Sequence, residues 1–87
     1  MSRWDDTYDG YRMRTLRTSL LVASVMEDIG SGTVTEIHRA YCGSVGQMCR
    51  RSIYRYVRAL EECGCVESNE VNGIMQFYWV GLQVLAV

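Results

Sequence analysis

The pattern of apolar and polar positions is helical over the first two thirds of the chain and extended near its end. Apolar residues recur at helical spacing from about Arg12 to Ile29, and Gly30-Ser31-Gly32 predicts the end of this first helix. A second helix is predicted from Glu36 to Tyr41, with Thr35 as its N-cap and Thr33-Val34-Thr35 as a short preceding strand. The apolar positions of the first helix are Met13, Leu16, Leu20, Leu21, Val25 and Ile29.

The segment from Cys49 to Val66 predicts the most clearly amphipathic helix of the chain. Its apolar residues have the spacing i, i+3, i+4, i+7 of a buried stripe and are Ile53, Tyr56, Val57 and Leu60. At about 100° per residue, three arginines lie within roughly 40° of the direction opposite Ile53. They are Arg51, Arg55 and Arg58, with Tyr54 at their edge. One face therefore predicts core contacts, and the other is suited to anions.

Turn residues predict the limits of this third helix and the structure that follows it. Ser44 and Gln47 have the spacing of a capping box, so the helix is expected to begin at residue 45 or at residue 49. Gly64 suits a left-handed C-cap and predicts an end at residue 62 or 63. Beyond it, two extended segments flank Asn72-Gly73, which predicts a hairpin turn. Alternation in the second strand places Phe77 and Trp79 on one face and Tyr78 on the other.

Length and composition predict a single small module. A chain of 87 residues with 48% apolar and 22% charged residues is a globular chain and makes one domain, too small for a large internal active site. We expect an irregular N-terminal arm over residues 1–10 and one domain over 11–87. The N-terminus lacks the apolar core of a secretory signal, and no run approaches a membrane span. We therefore expect a cytoplasmic protein without membrane contact.

The net charge of −1 conceals an uneven distribution of charge along the chain. Residues 12–58 carry eight arginines against three acids and have a net charge of +5, whereas residues 1–11 have −2 and residues 59–87 have −4. All nine cationic residues are arginine, the better planar partner for phosphate, guanine edges or carboxylates. Arginine usage can equally reflect a GC-rich coding sequence, so the position of the charges carries the argument.

The order of predicted elements resembles that of the winged helix-turn-helix family. TVTEIHRAY is similar to the short strand and second helix of that family, and RRSIYRYVRALEECGCVES is similar to its recognition helix. The resemblance covers roughly residues 15–80. It implies three helices with a two- or three-stranded antiparallel wing sheet, and a third helix that enters the major groove of double-stranded DNA. The residues implied as DNA-binding are Arg50, Arg51, Ser52, Tyr54, Arg55 and Arg58.

The sequence differs from the usual family pattern in its wing and in one turn. Residues 68–74 contain no arginine or lysine and include Glu70, and Glu67 precedes them, so a phosphate contact by the wing is not supported. The six residues of glycine-containing turn before Cys49 exceed the three or four of a compact helix-turn-helix.

Other residues that could carry chemistry form no recognisable motif. The cysteines, at positions 42, 49, 63 and 65, do not have the paired spacing of a structural zinc site, and we expect them to act as small core residues. His38 has no nucleophile and orienting acid in a catalytic pattern, and it is expected at the surface or the boundary of the core. We expect no enzyme activity, no metal and no cofactor.

Two functional hypotheses follow. The first is a small winged-helix transcription regulator, of the kind carried by a phage or mobile element, which reads duplex DNA with the helix over 49–63. It is expected to act as a homodimer that uses the first helix, the N-terminal arm or the tail Leu82–Val87 as its contact. The alternative is a winged-helix protein-interaction module, an adaptor or an inhibitor of a host protein complex, that does not bind DNA. Its acidic wing and apolar C-terminus favour that alternative.

Overall fold

The computed structural model describes the backbone of residues 3–82 and the side chains of residues 13–82, and the tail over 83–87 lies outside this range. The described chain has three helices and a three-stranded antiparallel sheet, which confirms the predicted α+β class. The elements are α1 (Arg3–Ile29), β1 (Ser31–Gly32), α2 (Val34–Ser44), α3 (Arg50–Glu62), β2 (Val66–Val71) and β3 (Ile74–Trp79). Among these residues, no helix is both long and apolar enough to cross a membrane.

Helix α1 is longer than the sequence pattern predicts. It begins at Arg3 rather than near Arg12, so residues 3–10 continue the helix instead of forming an irregular arm. No proline interrupts this stretch, and each residue added to an existing helix gains a hydrogen bond, so Gly10 alone, at about 1 kcal/mol, does not stop it. The 27 residues give a helix of about 40 Å.

The core lies where the second half of α1 meets α2, α3 and the sheet. Val22 and Met26 of α1 are fully buried, as are Ile37 of α2 and Phe77 of β3. From α3 the core receives Ile53, Val57 and Leu60, which confirms the predicted buried stripe, with Tyr56 half-buried beside them. Nearer the N-terminus of α1, its predicted apolar positions Met13, Leu16 and Leu20 are exposed.

Helix α2 begins two residues earlier than predicted, and the predicted N-cap is wrong. Thr33, not Thr35, is the N-cap: its hydroxyl accepts from the backbone N–H of Glu36 at 3.3 Å, and the Glu36 carboxylate accepts from the N–H of Thr33 at 3.0 Å. This reciprocal pair requires an acid three residues after the cap, a condition that Thr33 meets and Thr35 does not. The short strand accordingly forms at Ser31–Gly32 rather than at residues 33–35.

The capping box predicted between Ser44 and Gln47 does not form, because α2 extends as far as Ser44. Ser44 belongs to the last turn of α2, where its hydroxyl donates to the carbonyl oxygen of Ala40 at 2.7 Å, so it does not open the next helix with Gln47. Helix α3 begins after Cys49, the later of the two predicted starts, and ends at Glu62 as predicted. Gly64 has φ of +83°, the left-handed conformation expected after a helix C-terminus.

The β-hairpin forms at the predicted dipeptide. Asn72 and Gly73 have φ of 53° and 80°, so both central residues of the turn are left-handed, as a two-residue type I′ turn requires. Val71 pairs with Ile74 across this turn, and β1 adds to the other edge of β3 to give the strand order β1-β3-β2. The predicted faces of β3 are confirmed, because Phe77 is buried and Tyr78 is exposed.

Candidate nucleic-acid interface

The arginines of α3 lie on the face opposite its buried stripe. Ile53 and Val57 have no exposed surface, whereas Arg51, Arg55 and Arg58 are exposed, as the helical pattern predicts. Core packing therefore decides the direction of the cationic face: burying the apolar stripe forces the arginines outward into solvent. This face is available to a large anionic partner.

An open groove of about 580 Å³ runs along one side of the first half of α3. Its walls come from the first turn of α2, the first two turns of α3 and the beginning of β3. It is lined by Thr33, Val34, Thr35, Arg50, Arg51, Tyr54, Ile74 and Met75. Three of the six predicted DNA-binding residues, Arg50, Arg51 and Tyr54, are thus brought together in one concave surface.

Arg50 connects the start of α3 to the start of α2. Its guanidinium Nη1 donates to the hydroxyl oxygen of Thr35 at 3.1 Å, and both residues are exposed. A guanidinium has five N–H donors, so this contact leaves others for a ligand. Thr35 is not among the predicted site residues, because its proximity to Arg50, fifteen positions along the chain, depends on how the two helices pack.

Tyr54 joins the groove to the core. Its ring lies edge-on to Phe77, with 6.4 Å between ring centroids and an interplanar angle of 74°, while 42% of the residue remains exposed. Such an edge-to-face pair is favourable beyond simple burial. The contact holds α3 against β3 and keeps the Tyr54 ring at the wall of the groove.

The remaining predicted DNA-binding residues, Ser52, Arg55 and Arg58, lie outside this groove. Ser52 and Arg55 line a second groove, of about 300 Å³, on the side of α3 that faces Thr15 and Ser19 of α1. The start of α3 is therefore a ridge between two grooves, with Arg51 lining one groove and Arg55 lining the other.

Arg58 is the one predicted cation that already has an acidic partner. Its Nη1 lies 2.7 Å from Oε1 of Glu61, and the other carboxylate oxygen of Glu61 accepts from the hydroxyl of Ser68. Glu61 and Glu62 both lie about one turn from Arg58, and the structure pairs Arg58 with Glu61. Among residues 13–82 this is the one ion pair, so Arg50, Arg51 and Arg55 retain uncompensated charge.

The β2–β3 hairpin presents acid and apolar surface instead of cations. Glu70 stands opposite Met75 in the β2–β3 register, so both lie on the same face of the hairpin, and Met75 lines the larger groove. Val71 and Ile74 at the tip are 46% and 59% exposed. The larger groove thus has a cationic wall on α3 and a wall without positive charge on the β2–β3 hairpin.

The loop before α3 is held to α2 by a histidine and a cysteine. Nε2 of His38 lies 2.7 Å from the carbonyl oxygen of Met48, and the Sγ of Cys42 lies 3.5 Å from the same nitrogen. A carbonyl oxygen only accepts, so Nε2 carries the proton in this contact. His38 and Cys42 are both half-buried, consistent with a position at the boundary of the core.

The other cysteines differ in exposure, and the expectation of four core cysteines is wrong for two of them. Cys65 is buried, whereas Cys49 and Cys63 are exposed because they cap the two ends of α3. The hydroxyl of Ser52 lies 3.1 Å from the Sγ of Cys49, and this side-chain contact, followed by the Ser52 backbone N–H, lowers the pKa of the Cys49 thiol. Within the described residues, no three His, Cys, Asp or Glu side chains come together to hold a metal ion.

Comparison with known proteins leaves the chain without an assigned relative: no family model, no curated protein and no solved structure matches it.

Proposed function

We propose that the chain is a winged helix-turn-helix protein that binds double-stranded DNA through α3 and acts as a transcription regulator. The order helix, short strand, helix, helix, hairpin supports the fold, as does the strand order β1-β3-β2. In this proposal β2 and β3 form the wing, and α3 is the recognition helix. A helix with its side chains is about 10–12 Å wide and fits the B-DNA major groove, which is about 12 Å wide.

The single observation that carries the proposal is the exposed ridge at the start of α3. Arg51 and Arg55 are neighbours along this ridge, each lining one of the two grooves beside it, and neither has an acidic partner among residues 13–82. Two like charges at i, i+4 repel each other, so this arrangement slightly weakens the isolated helix. An anionic ligand along the ridge removes that cost and gains charge-assisted hydrogen bonds.

The experiment is a binding titration of the full chain with a fluorescent random-sequence duplex at about 50 and about 200 mM salt. Arginines that neutralise phosphates release counterions, so the affinity is expected to fall steeply as salt rises. The double variant Arg51→Ala, Arg55→Ala should bind at least about tenfold more weakly. Its salt slope should be smaller by about 2, because each phosphate that is no longer neutralised reduces the slope by about 0.9.

Arg58→Ala is the matched control, because it removes the same charge from the same helix at a residue paired with Glu61. It should weaken binding less than either Arg51→Ala or Arg55→Ala alone. The three arginines are exposed, so all variants should keep the far-UV circular dichroism spectrum of the parent chain. Absence of binding at the lower salt concentration, or equal reductions in affinity from all three single variants, would contradict the proposal.

A second candidate function rests on the wing. Val71, Ile74 and Met75 are exposed apolar residues beside Glu70, a combination that suits a protein partner better than a phosphate backbone. The chain would then be an adaptor or an inhibitor that docks onto a protein complex. Retention of one stoichiometric protein by the parent chain and its loss with Ile74→Asp, together with no DNA binding, would favour this function over the first.

A further inference from the structure

The outer face of α1 carries an apolar stripe that nothing in the described chain covers. Met13, Leu16 and Leu20 are 70%, 61% and 52% exposed, at the spacing i, i+3, i+7 that places them on one side of the helix. With Arg17 and Leu21 they form a shallow apolar groove of about 310 Å³. Single exposed apolar side chains are ordinary, but a row of them along one helix face indicates an interaction surface.

The stripe continues onto the body of the domain. A second shallow groove, of about 160 Å³, begins at Leu20 and follows α1 towards its C-terminus. It is lined by Leu20, Ala23, Ser24, Glu27, Trp79 and Leu82. Leu82 is itself 64% exposed, so the apolar surface extends from Met13 to Leu82, three residues after the end of β3.

The charges beside this surface are separated along the helix. Arg14 and Arg17 lie beside the outer half of the stripe, and Glu27 and Asp28 lie near its inner end; all four are exposed. None of them has an ion pair among residues 13–82. Arg17 and Glu27 are ten residues apart, about 15 Å along the axis. Such a surface is complementary to itself when a second copy runs antiparallel, because each basic end then faces an acidic end.

We propose that a second copy of this chain packs antiparallel along α1, with the two-fold axis crossing near Leu20. Each Leu16 then faces Ser24 of the other copy and enters the shallow groove beside Trp79 and Leu82. Arg17 faces Ala23 of the other copy. Glu27 of that copy lies four residues beyond Ala23, about 6 Å along the helix axis, which is within reach of the Arg17 side chain. If the second copy ran parallel instead, Arg14 and Arg17 of one copy would lie beside the same arginines of the other and repel them.

This interface is independent of DNA binding and leaves the ridge of α3 free. The side of α1 that approaches α3 carries Thr15 and Ser19, which line the groove with Arg55. At about 100° per residue, the mean direction of these two residues lies roughly 100° from that of Leu16 and Leu20. A dimer through the stripe would thus present two α3 ridges at once.

Sedimentation velocity of the full chain over a concentration series tests the proposal, with reducing agent present to exclude disulfide dimers of the exposed cysteines. The chain of 10.0 kDa should sediment as a dimer of about 20 kDa at the higher concentrations. Leu16→Lys should raise the dimer Kd at least about tenfold, because it brings a charge into the apolar seam. Val71→Lys, the same change at an exposed apolar residue of the wing, is the control and should leave the Kd unchanged.

Charge reversal tests the orientation of the two copies. Arg17→Glu and Glu27→Arg should each weaken the dimer, and the double variant should recover most of the affinity, since the opposite charges again face each other. A monomer at all concentrations, or a dimer unaffected by Leu16→Lys, would overturn the proposal. Failure of the double charge reversal to recover affinity would overturn the antiparallel arrangement.

Discussion

Nε2 of His38 lies 2.7 Å from the carbonyl oxygen of Met48 and ties the loop before α3 to the middle of α2. The two residues are ten positions apart, and the Sγ of Cys42 approaches the same carbonyl oxygen at 3.7 Å. Because α3 begins two residues after Met48, this hydrogen bond helps to determine where the arginine ridge starts.

We expect His38→Ala to lower the free energy of unfolding by about 1 kcal/mol, the usual net value of a hydrogen bond between protein groups. Urea unfolding followed by circular dichroism measures the change. Gln47→Ala, at an exposed residue of the same loop, is the control and should change stability by less than about 0.5 kcal/mol. Equal effects of the two variants would show that the His38 contact does not hold the loop.

The capping box of α2 predicts different results at two neighbouring threonines. Thr33→Ala removes an N-cap side chain and should cost about 1 kcal/mol of stability. Thr35→Ala removes only the exposed acceptor of Arg50 and should cost clearly less. Thermal unfolding of both variants measures the difference, and a larger loss of stability for Thr35→Ala would contradict the observed start of the helix.

The same capping box predicts a contribution to stability that depends on pH. The backbone N–H of Thr33, and then its hydroxyl, lower the pKa of the Glu36 carboxyl below its ordinary value. A carboxyl whose pKa is lower in the folded state stabilises the fold above its unfolded pKa, and this stabilisation is lost as pH falls through the folded pKa.

Glu36→Gln keeps a hydrogen-bond acceptor for Thr33 but removes the titrating group. Urea unfolding between about pH 7 and about pH 3 should show the parent chain losing stability on acidification faster than this variant does. Glu62→Gln, at an exposed glutamate of α3, controls for loss of charge alone. Parallel pH profiles for the parent and Glu36→Gln would contradict the prediction.

The exposed cysteines should differ in reactivity. Because the Ser52 hydroxyl lowers the pKa of Cys49, a larger fraction of this thiol is ionised near neutral pH, and the thiolate is the reactive form. Alkylation with iodoacetamide near neutral pH, followed by mass spectrometry, should therefore modify Cys49 several-fold faster than Cys63 and leave buried Cys65 protected. Ser52→Ala should slow the reaction of Cys49 without affecting Cys63.

Elements with one strong local signal are predictable from the sequence. Elements for which two neighbouring residues offer the same signal are not. The C-terminal end of α3 and the Asn72-Gly73 turn follow from local rules for glycine and asparagine, whereas those rules leave the start of α3 open between residues 45 and 49. The prediction for the start of α2 is wrong because Thr33 and Thr35 both suit an N-cap, and only the spacing to Glu36 distinguishes them. A threonine with glutamate three residues later is the signal that locates the cap.

The candidate site divides in the same way. The arginine face of α3 follows from the apolar stripe on its other side, so Arg51, Arg55 and Arg58 are predictable from periodicity. The ion pair of Arg58, the contact of Arg50 with Thr35 and the wall supplied by Met75 depend on rotamers and on strand register. These contacts join residues distant in sequence, or choose among several equivalent neighbours, so periodicity does not predict them.

By itself, the sequence determined which residues are helical or extended near the third helix and the hairpin, and which side of α3 is cationic. Those properties depend on neighbours within a few positions, where backbone geometry and side-chain periodicity act directly. Only the tertiary structure decided that Leu16 and Leu20 of α1 are exposed while Val22 and Met26 are buried, and that α3 lies between two grooves. Packing makes these decisions, because the core of a small domain covers only part of the apolar surface of its helices.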